Sequence, residues 1–171
     1  MKKKWVLALL LAALAVAFYA GTVLATSSQG FTGTTLAKAT YGDIYSHIHT
    51  IPASWDELIK TKGDSDLYVQ QNTWDPSACD NQCIPSTGWH THPGHSLIIV
   101  TAGTVTAYDG HDPHCTPHVY TAGQSFSDDG GADVHMLRNN GAVDAETIAV
   151  QFLPKDATRR IDATDPGNCH F

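Results

Sequence analysis

A chain of 171 residues with 42% hydrophobic side chains is the size of one domain and short for two well-buried cores. Acidic residues outnumber basic ones 17 to 10, for a formal charge of -7, and such a surface repels phosphate backbones, which argues against a nucleic-acid partner.

Lys2, Lys3 and Lys4 precede an almost unbroken apolar stretch, Trp5 to Ala20, and Val23-Leu24-Ala25 puts small residues at a cleavage position. Residues 1–25 therefore look like a secretory signal peptide. An uncleaved N-terminal anchor is the alternative, because residues 5–25 carry no charge and almost suffice to span a bilayer. Cleavage is favoured, since the polar run Thr26-Ser27-Ser28-Gln29-Gly30 follows at once. Membrane association is expected only if the segment stays attached. Either way residues 26–171 form a single domain outside the cytoplasm, secreted or extracytoplasmic. Without the three leader lysines the balance is 7 basic to 17 acidic residues, a formal charge of -10.

From about residue 34 onward, runs rich in Val, Ile, Thr and Tyr alternate with Gly, Pro, Asp and Asn clusters, the punctuation of an antiparallel β-protein. The expected strands are residues 34–40, 67–74, 96–101, 104–108, 118–121, 134–139 and 146–152. One helix is expected between them. Ser54-Trp55-Asp56-Glu57 reads as a capping box, with Trp55, Leu58 and Ile59 on one face and Gly63 as the stop, giving a lid across an open end of the sheet. Many short strands without a repeat or a linker predict an all-β sandwich or barrel.

All four cysteines, Cys79, Cys83, Cys115 and Cys169, lie in the exported part, where oxidation is the normal fate. Three pairings are open to them. Cys79 with Cys83 across a short loop and Cys115 with Cys169, tying down the C-terminal tail, is favoured; a four-cysteine zinc site would need a second Cys-x-x-Cys that is absent.

Histidines are the most informative feature. His90 and His92 in Gly88-Trp89-His90-Thr91-His92-Pro93-Gly94 are two apart and so share one face of an extended strand. His135 lies in a strand-like run between Gly131 and the turn signal Asn140-Gly141, on the face of Leu137 and Asn139. In the last strand Ile148, Val150 and Phe152 share a face opposite Thr147, Ala149 and Gln151, and the apolar side reads as the core. Buried imidazoles need partners, an unpaired polar group costing about 1 to 3 kcal/mol, and one shared metal ion would satisfy all three.

Gly88 and His90-Thr91-His92, with Gly103 downstream, resemble the first motif of the cupin superfamily. Gly123, Gly131, His135 and Asn139 resemble the second. Together they cover about residues 88–139 and look like small exported single-domain cupins. The resemblance implies a conserved cupin-type antiparallel β-barrel (jelly roll). It also implies one divalent transition metal on His90, His92 and His135, a small-molecule ligand or substrate, dioxygenase-like or decarboxylase-like chemistry, and pairing into a homodimer. Imidazole ligands suit Fe, Mn, Zn, Ni or Cu without distinguishing them. The match has departures. Ser96 stands where the family places a glutamate ligand, Asp129 stands at a proline position, and His135 comes one residue late relative to Gly131. Three neutral imidazoles leave the charge of the dication uncompensated, which favours an anionic substrate. The alternative is a non-catalytic cupin that binds a small ligand or metal.

Among the remaining candidates, His95, Tyr108 and Gln71 are read as weak catalytic or proton-handling residues. His111, His114 and His118 read as solvated loop residues and His47 and His49 as surface or mouth residues. Asp128-Asp129 reads as a solvated turn, and Trp74 and Trp89 as packing at strand ends. No Gly-x-Ser-x-Gly elbow and no phosphate-cradling glycine loop is present.

Overall fold

The computed structural model describes residues 25–50, 54–79 and 82–171. The expected signal peptide lies outside the described residues, apart from its last position. Among these described residues are twelve strands in chain order: β1 (Phe31–Tyr41), β2 (Tyr45–His49), β3 (Asp56–Lys60), β4 (Ser65–Trp74), β5 (His90–Thr91), β6 (Ser96–Ala102), β7 (Thr104–Asp109), β8 (His118–Thr121), β9 (Ser125–Asp128), β10 (His135–Arg138), β11 (Ala145–Pro154) and β12 (Ile161–Asp162). Two five-stranded antiparallel sheets, ordered β1-β4-β11-β6-β9 and β12-β5-β10-β7-β8, form the barrel; β2 and β3 pair only with each other. Each of the seven expected strands is present. Between β6 and β7 the chain passes from one sheet to the other at Gly103, whose φ of +65° and close approach to the Asp144 carbonyl leave no room for a Cβ.

The expected helix is instead strand β3, paired with β2 in register from Tyr45↔Lys60 to His49↔Asp56. No α-helix occurs among the described residues, the one helical element being a short 3-10 turn at Pro76–Cys79. The capping pattern of residues 54–57 lost to cross-strand pairing, which satisfies the same backbone groups. The apolar residues offered to a helix face remain open to solvent, with Trp55 54% and Leu58 59% exposed. The hairpin is thus a projection from the barrel and not a lid on it.

The parity of the last strand is also inverted. Along β11 the buried residues are Ala145, Thr147, Ala149, Gln151 and Leu153, while Ile148, Val150 and Phe152 are half-buried on the outer face. The neighbouring β6 repeats this, with Ser96, Ile98 and Val100 buried and Leu97 and Ile99 more than half exposed. Small and polar residues line the interior because one end of the barrel is an apolar plug and the other is not. Trp74, Val105, Leu137 and Ala145 form the plug, with Phe31 and Phe126 packed against it. Towards the other end the inward positions are Ser96, Gln151, His92 and Asp128, all buried.

The second sheet is covered on its outer side by the C-terminal tail. Trp89, Tyr108, Met136 and Cys169 make a second buried cluster. Phe171 packs edge-on to Tyr108, with ring centroids 4.9 Å apart, and lies 3.8 Å below the Arg138 guanidinium. Trp74 and Trp89 are both packing residues, at 0% and 2% exposure. The disulfides Cys79–Cys83 and Cys115–Cys169 are formed, the second anchoring this tail. Two such bonds suit an oxidising compartment. No helix among the described residues is long and apolar enough to cross a membrane.

The two bridges span 4 and 54 residues of sequence, and loop-closure entropy makes the longer loop the more stabilising, about 4 against about 2 kcal/mol. Replacing Cys115 and Cys169 by serine is therefore expected to lower unfolding free energy in urea by more than replacing Cys79 and Cys83, a ranking that denaturant titration of both double variants checks.

Candidate metal centre

Strand pairing creates the site. β5 and β10 are adjacent and antiparallel, with His135 directly opposite His90, so two imidazoles 45 residues apart in sequence become cross-strand neighbours with ring centroids 4.3 Å apart. His92 follows two residues after His90, on the same face, with its ring 4.9 Å from His90 and 5.4 Å from His135. One ring nitrogen from each of the three lies within 4.8 Å of the others, and all three residues are buried.

Each ring is held from behind by a main-chain carbonyl. His90 Nδ1 is 2.9 Å from the Gly88 oxygen, His92 Nδ1 is 2.7 Å from the Arg159 oxygen, and His135 Nδ1 is 3.2 Å from the Asp133 oxygen. A carbonyl only accepts, so these contacts favour the tautomer with the proton on Nδ1 and a lone pair on Nε2; at His92 the Gln151 amide nitrogen also lies 3.3 Å from Nδ1, behind the shorter carbonyl contact. Burial pushes the His90 imidazole well below its ordinary pKa, with the neighbouring His135 adding to the effect. Burial likewise lowers His92 to about 4, against the opposing pull of the Arg159 carbonyl and the Asp128 carboxylate. Neutral imidazoles are the form that ligates a metal. The donor set therefore fits a divalent transition ion, with His90, His92 and His135 as the residues that would hold it.

The surroundings contain residues that sequence reading passed over. Asp128, the last residue of β9, is buried and not a solvated turn; its side chain is 7% exposed, with Oδ2 3.4 Å from His92 Nε2 and 3.3 Å from His135 Nε2. Its signal in the sequence is the alternation Phe126, Asp128 along a four-residue strand, hidden by the serines between. Gln151 donates to Ser96 Oγ at 2.9 Å and accepts from Arg159 Nη1 at 2.9 Å, linking the last long strand to the tail. Arg159 lacks any such signal, because only the fold of the tail returns it to the barrel.

The trio lines a cavity of about 40 Å³ together with Trp74, Asp128, Gln151, Arg159 and Arg160. That volume admits roughly three water molecules. A neighbouring cavity of about 190 Å³ shares His135, Asp128, Phe126 and Leu137 with the first. Of the weaker candidates, Tyr108 lines only the second cavity, and its hydroxyl lies 3.3 Å from Asn140 Nδ2. His95 is exposed and stacks on Phe152, pointing away from buried Ser96. Gln71 is opposite Ile148 on the outer face of the first sheet, so neither His95 nor Gln71 reaches the trio. His47 is 2.7 Å from Asp56 on the exposed hairpin, and His111 lies between Asp109 and Asp133 at the surface.

No protein-family model matches the chain, and no curated protein matches it in sequence. Among solved structures, the chain aligns with oxalate oxidase at 16% identity and a TM-score of 0.45, covering 57% of this chain and 46% of that one. A cupin domain from Bordetella pertussis aligns at 13% identity, TM-score 0.44, over 74% and 97% of the two chains. A predicted oxalate decarboxylase from Thermotoga maritima aligns at 20% identity, TM-score 0.40, over 54% and 83%. The chain thus spans less than half the length of the oxalate oxidase it resembles. The chain itself is a barrel of two five-stranded antiparallel sheets, with the histidine-bearing strands β5 and β10 side by side in one wall.

A histidine whose folded pKa is depressed takes up its proton more readily when unfolded, so the unfolded state binds more protons as pH falls below about 6.5 and stability falls with it until the folded pKa is reached. For the metal-free protein, His90 and His92 thus predict a loss of unfolding free energy between pH 6.5 and about 4. Urea titrations at pH 7 and pH 5 in the presence of a chelator check it, and replacing both histidines by glutamine is expected to flatten the difference.

Proposed function

We propose that the chain is an exported, metal-binding protein of the cupin type that acts on a small anionic organic molecule. The observation that carries this reading is the clustering of three buried imidazoles, each fixed through Nδ1 by a carbonyl, with the Nε2 atoms of His92 and His135 facing the Asp128 carboxylate at 3.4 and 3.3 Å. Such back-side hydrogen bonds set tautomer and aim in metal-ligating histidines.

Bound there, the ion would supply Lewis acidity or redox chemistry of the dioxygenase-like or decarboxylase-like kind. The chain's own residues select the substrate. Arg159 lines the cavity, and burial lowers its pKa. No carboxylate pairs with it among the described residues, its one side-chain hydrogen bond being to Gln151. Its neighbour Arg160, by contrast, is committed to Asp162 at 2.6 Å and to the Thr87 oxygen at 2.6 Å. A partly buried guanidinium without an anion is costly, and a substrate carboxylate would offset that cost while matching its fork of donors. The small volume favours acids of two or three carbons. Export is supported by the leader pattern and by the two disulfides. A homodimer would bury the outer face of the first sheet, where Leu97 and Ile99 are more than half exposed.

Untagged protein is expected to retain about one equivalent of a transition metal by elemental analysis, and His135→Ala to lose most of it while folding normally by circular dichroism. Loaded protein should consume oxygen, or release carbon dioxide, with a small carboxylic acid from a panel of acids, phenols and thiols. Arg159→Gln is expected to weaken binding of that acid about tenfold or more, measured by calorimetry, without reducing metal content. Full metal occupancy with no turnover of any panel member would favour the non-catalytic binder.

A further inference from the structure

Ser96 occupies the place where the resembled motif supplies a carboxylate, and its hydroxyl is taken up by Gln151 at 2.9 Å. In the β6–β9 ladder Ser96 lies directly opposite Asp128. Cross-strand partners share a face and stand about 5 Å apart at Cβ, so a carboxylate at position 128 enters the barrel from the adjacent strand at nearly the same height as one at position 96.

We infer that Asp128 is the fourth protein ligand of the metal centre, replacing across one rung of the sheet the carboxylate that position 96 lacks. The inference rests on the reading that the histidine trio holds a metal, and it adds an anionic donor from β9.

Three independent features of Asp128 carry it. The first is spacing. Oδ2 is 3.4 Å from His92 Nε2 and 3.3 Å from His135 Nε2, longer than the roughly 2.7 to 2.9 Å of a charge-assisted hydrogen bond. Two donors that each sit about 2.1 Å from one ion, at angles between octahedral and tetrahedral, are about 3.0 to 3.4 Å apart. The spacing suits a co-ligand of these two imidazoles; the ligand atoms of the histidine trio all lie within 4.8 Å of one another without Asp128 among them, so His90 and Asp128 must close up around a bound ion. The second is the division of labour between its oxygens. Oδ1 accepts from the Gly130 N–H at 2.9 Å, which fixes the carboxylate plane and leaves Oδ2 for the centre. Gly130 has a φ of +68° and packs so closely on the Gly94 carbonyl that a Cβ would overlap it, so the turn that supplies this N–H is built for a glycine. The third is burial: the side chain is 7% exposed, and apart from the Gly130 amide and the imidazoles no hydrogen-bond or ion-pair partner of its carboxylate is seen among the described residues.

The charge consequence separates this centre from one with three neutral ligands alone. A carboxylate ligand lowers the net charge of a dication site from +2 to +1, weakening its attraction for anions in general and leaving selection of a carboxylate to Arg159.

Binding of Co²⁺ to the full chain, expressed without a histidine tag and stripped with a chelator, tests the assignment through affinity and through the visible absorption spectrum, which reports the donor set. Asp128→Asn is isosteric and is expected to weaken Co²⁺ binding by at least about tenfold, the lower end of what even outer partners of a metal site contribute, and to change the spectrum. The double variant Ser96→Glu with Asp128→Ser, which moves the carboxylate back to β6, is expected to recover affinity relative to Asp128→Ser alone. Wild-type affinity and an unchanged spectrum in Asp128→Asn, with binding lost in His135→Ala, would overturn the role of Asp128 and leave the trio intact. Failure of the wild-type chain to bind Co²⁺ at all would overturn both.

Discussion

The pairing register of β5 with β10 is the constraint on which the centre depends. Side chains alternate across a strand, so sliding this pair by one residue would turn His135 to the outer face and bring Val134 or Met136 towards the cavity. Nothing in the two-residue β5 is strong enough to fix the register alone. It is held from outside: Trp89 packs with Tyr108, Met136 and Cys169 on the far side of the sheet, and the Ala163 N–H donates to the Trp89 oxygen at 2.9 Å. The C-terminal tail, tied down by Cys115–Cys169, therefore supports the histidine cluster energetically although no tail residue beyond Arg160 lines its cavity.

The same tail explains how a small barrel tolerates a polar interior. A domain of this size has little surplus stability, and one end of its core is given over to His92, Ser96, Asp128 and Gln151 in place of aliphatic side chains. Gln151 joins Ser96 to Arg159, and Asp128 Oδ1 accepts from the Gly130 amide, which limits the desolvation penalty of this polar end without removing it. The apolar plug around Trp74 and the clamped outer face of the second sheet supply the hydrophobic burial that the site end lacks.

Much of the fold was legible because its signals are local. Seven strands follow from β-branched runs between turn residues, and the histidine spacings point to the three imidazoles that the fold brings together. The errors have physical causes. Residues 54–63 carry helix-capping chemistry, but a capping box is worth only about a kcal/mol per end, and the partner strand Tyr45–His49 satisfied the same backbone. The outer aliphatic face of β11 misled because a barrel built around imidazoles and amides puts its polar residues inside, which reverses the usual inference from apolar periodicity. β9 was passed over because Ser125, Ser127 and Asp128 are turn formers, and strand identity there comes from pairing with β6.

By itself the sequence determined that this is an all-β domain, that His90 and His92 act from one face and that His135 belongs with them, since side-chain period and residue chemistry are properties of short segments. Only the tertiary structure decided that Asp128 meets the imidazoles, that Arg159 returns to the cavity while His95 and Gln71 turn away, and that Ser96 is a spent hydrogen-bond partner. Those outcomes depend on which strands become neighbours and in what register, and that is settled by packing summed over the whole chain, which no local stretch encodes.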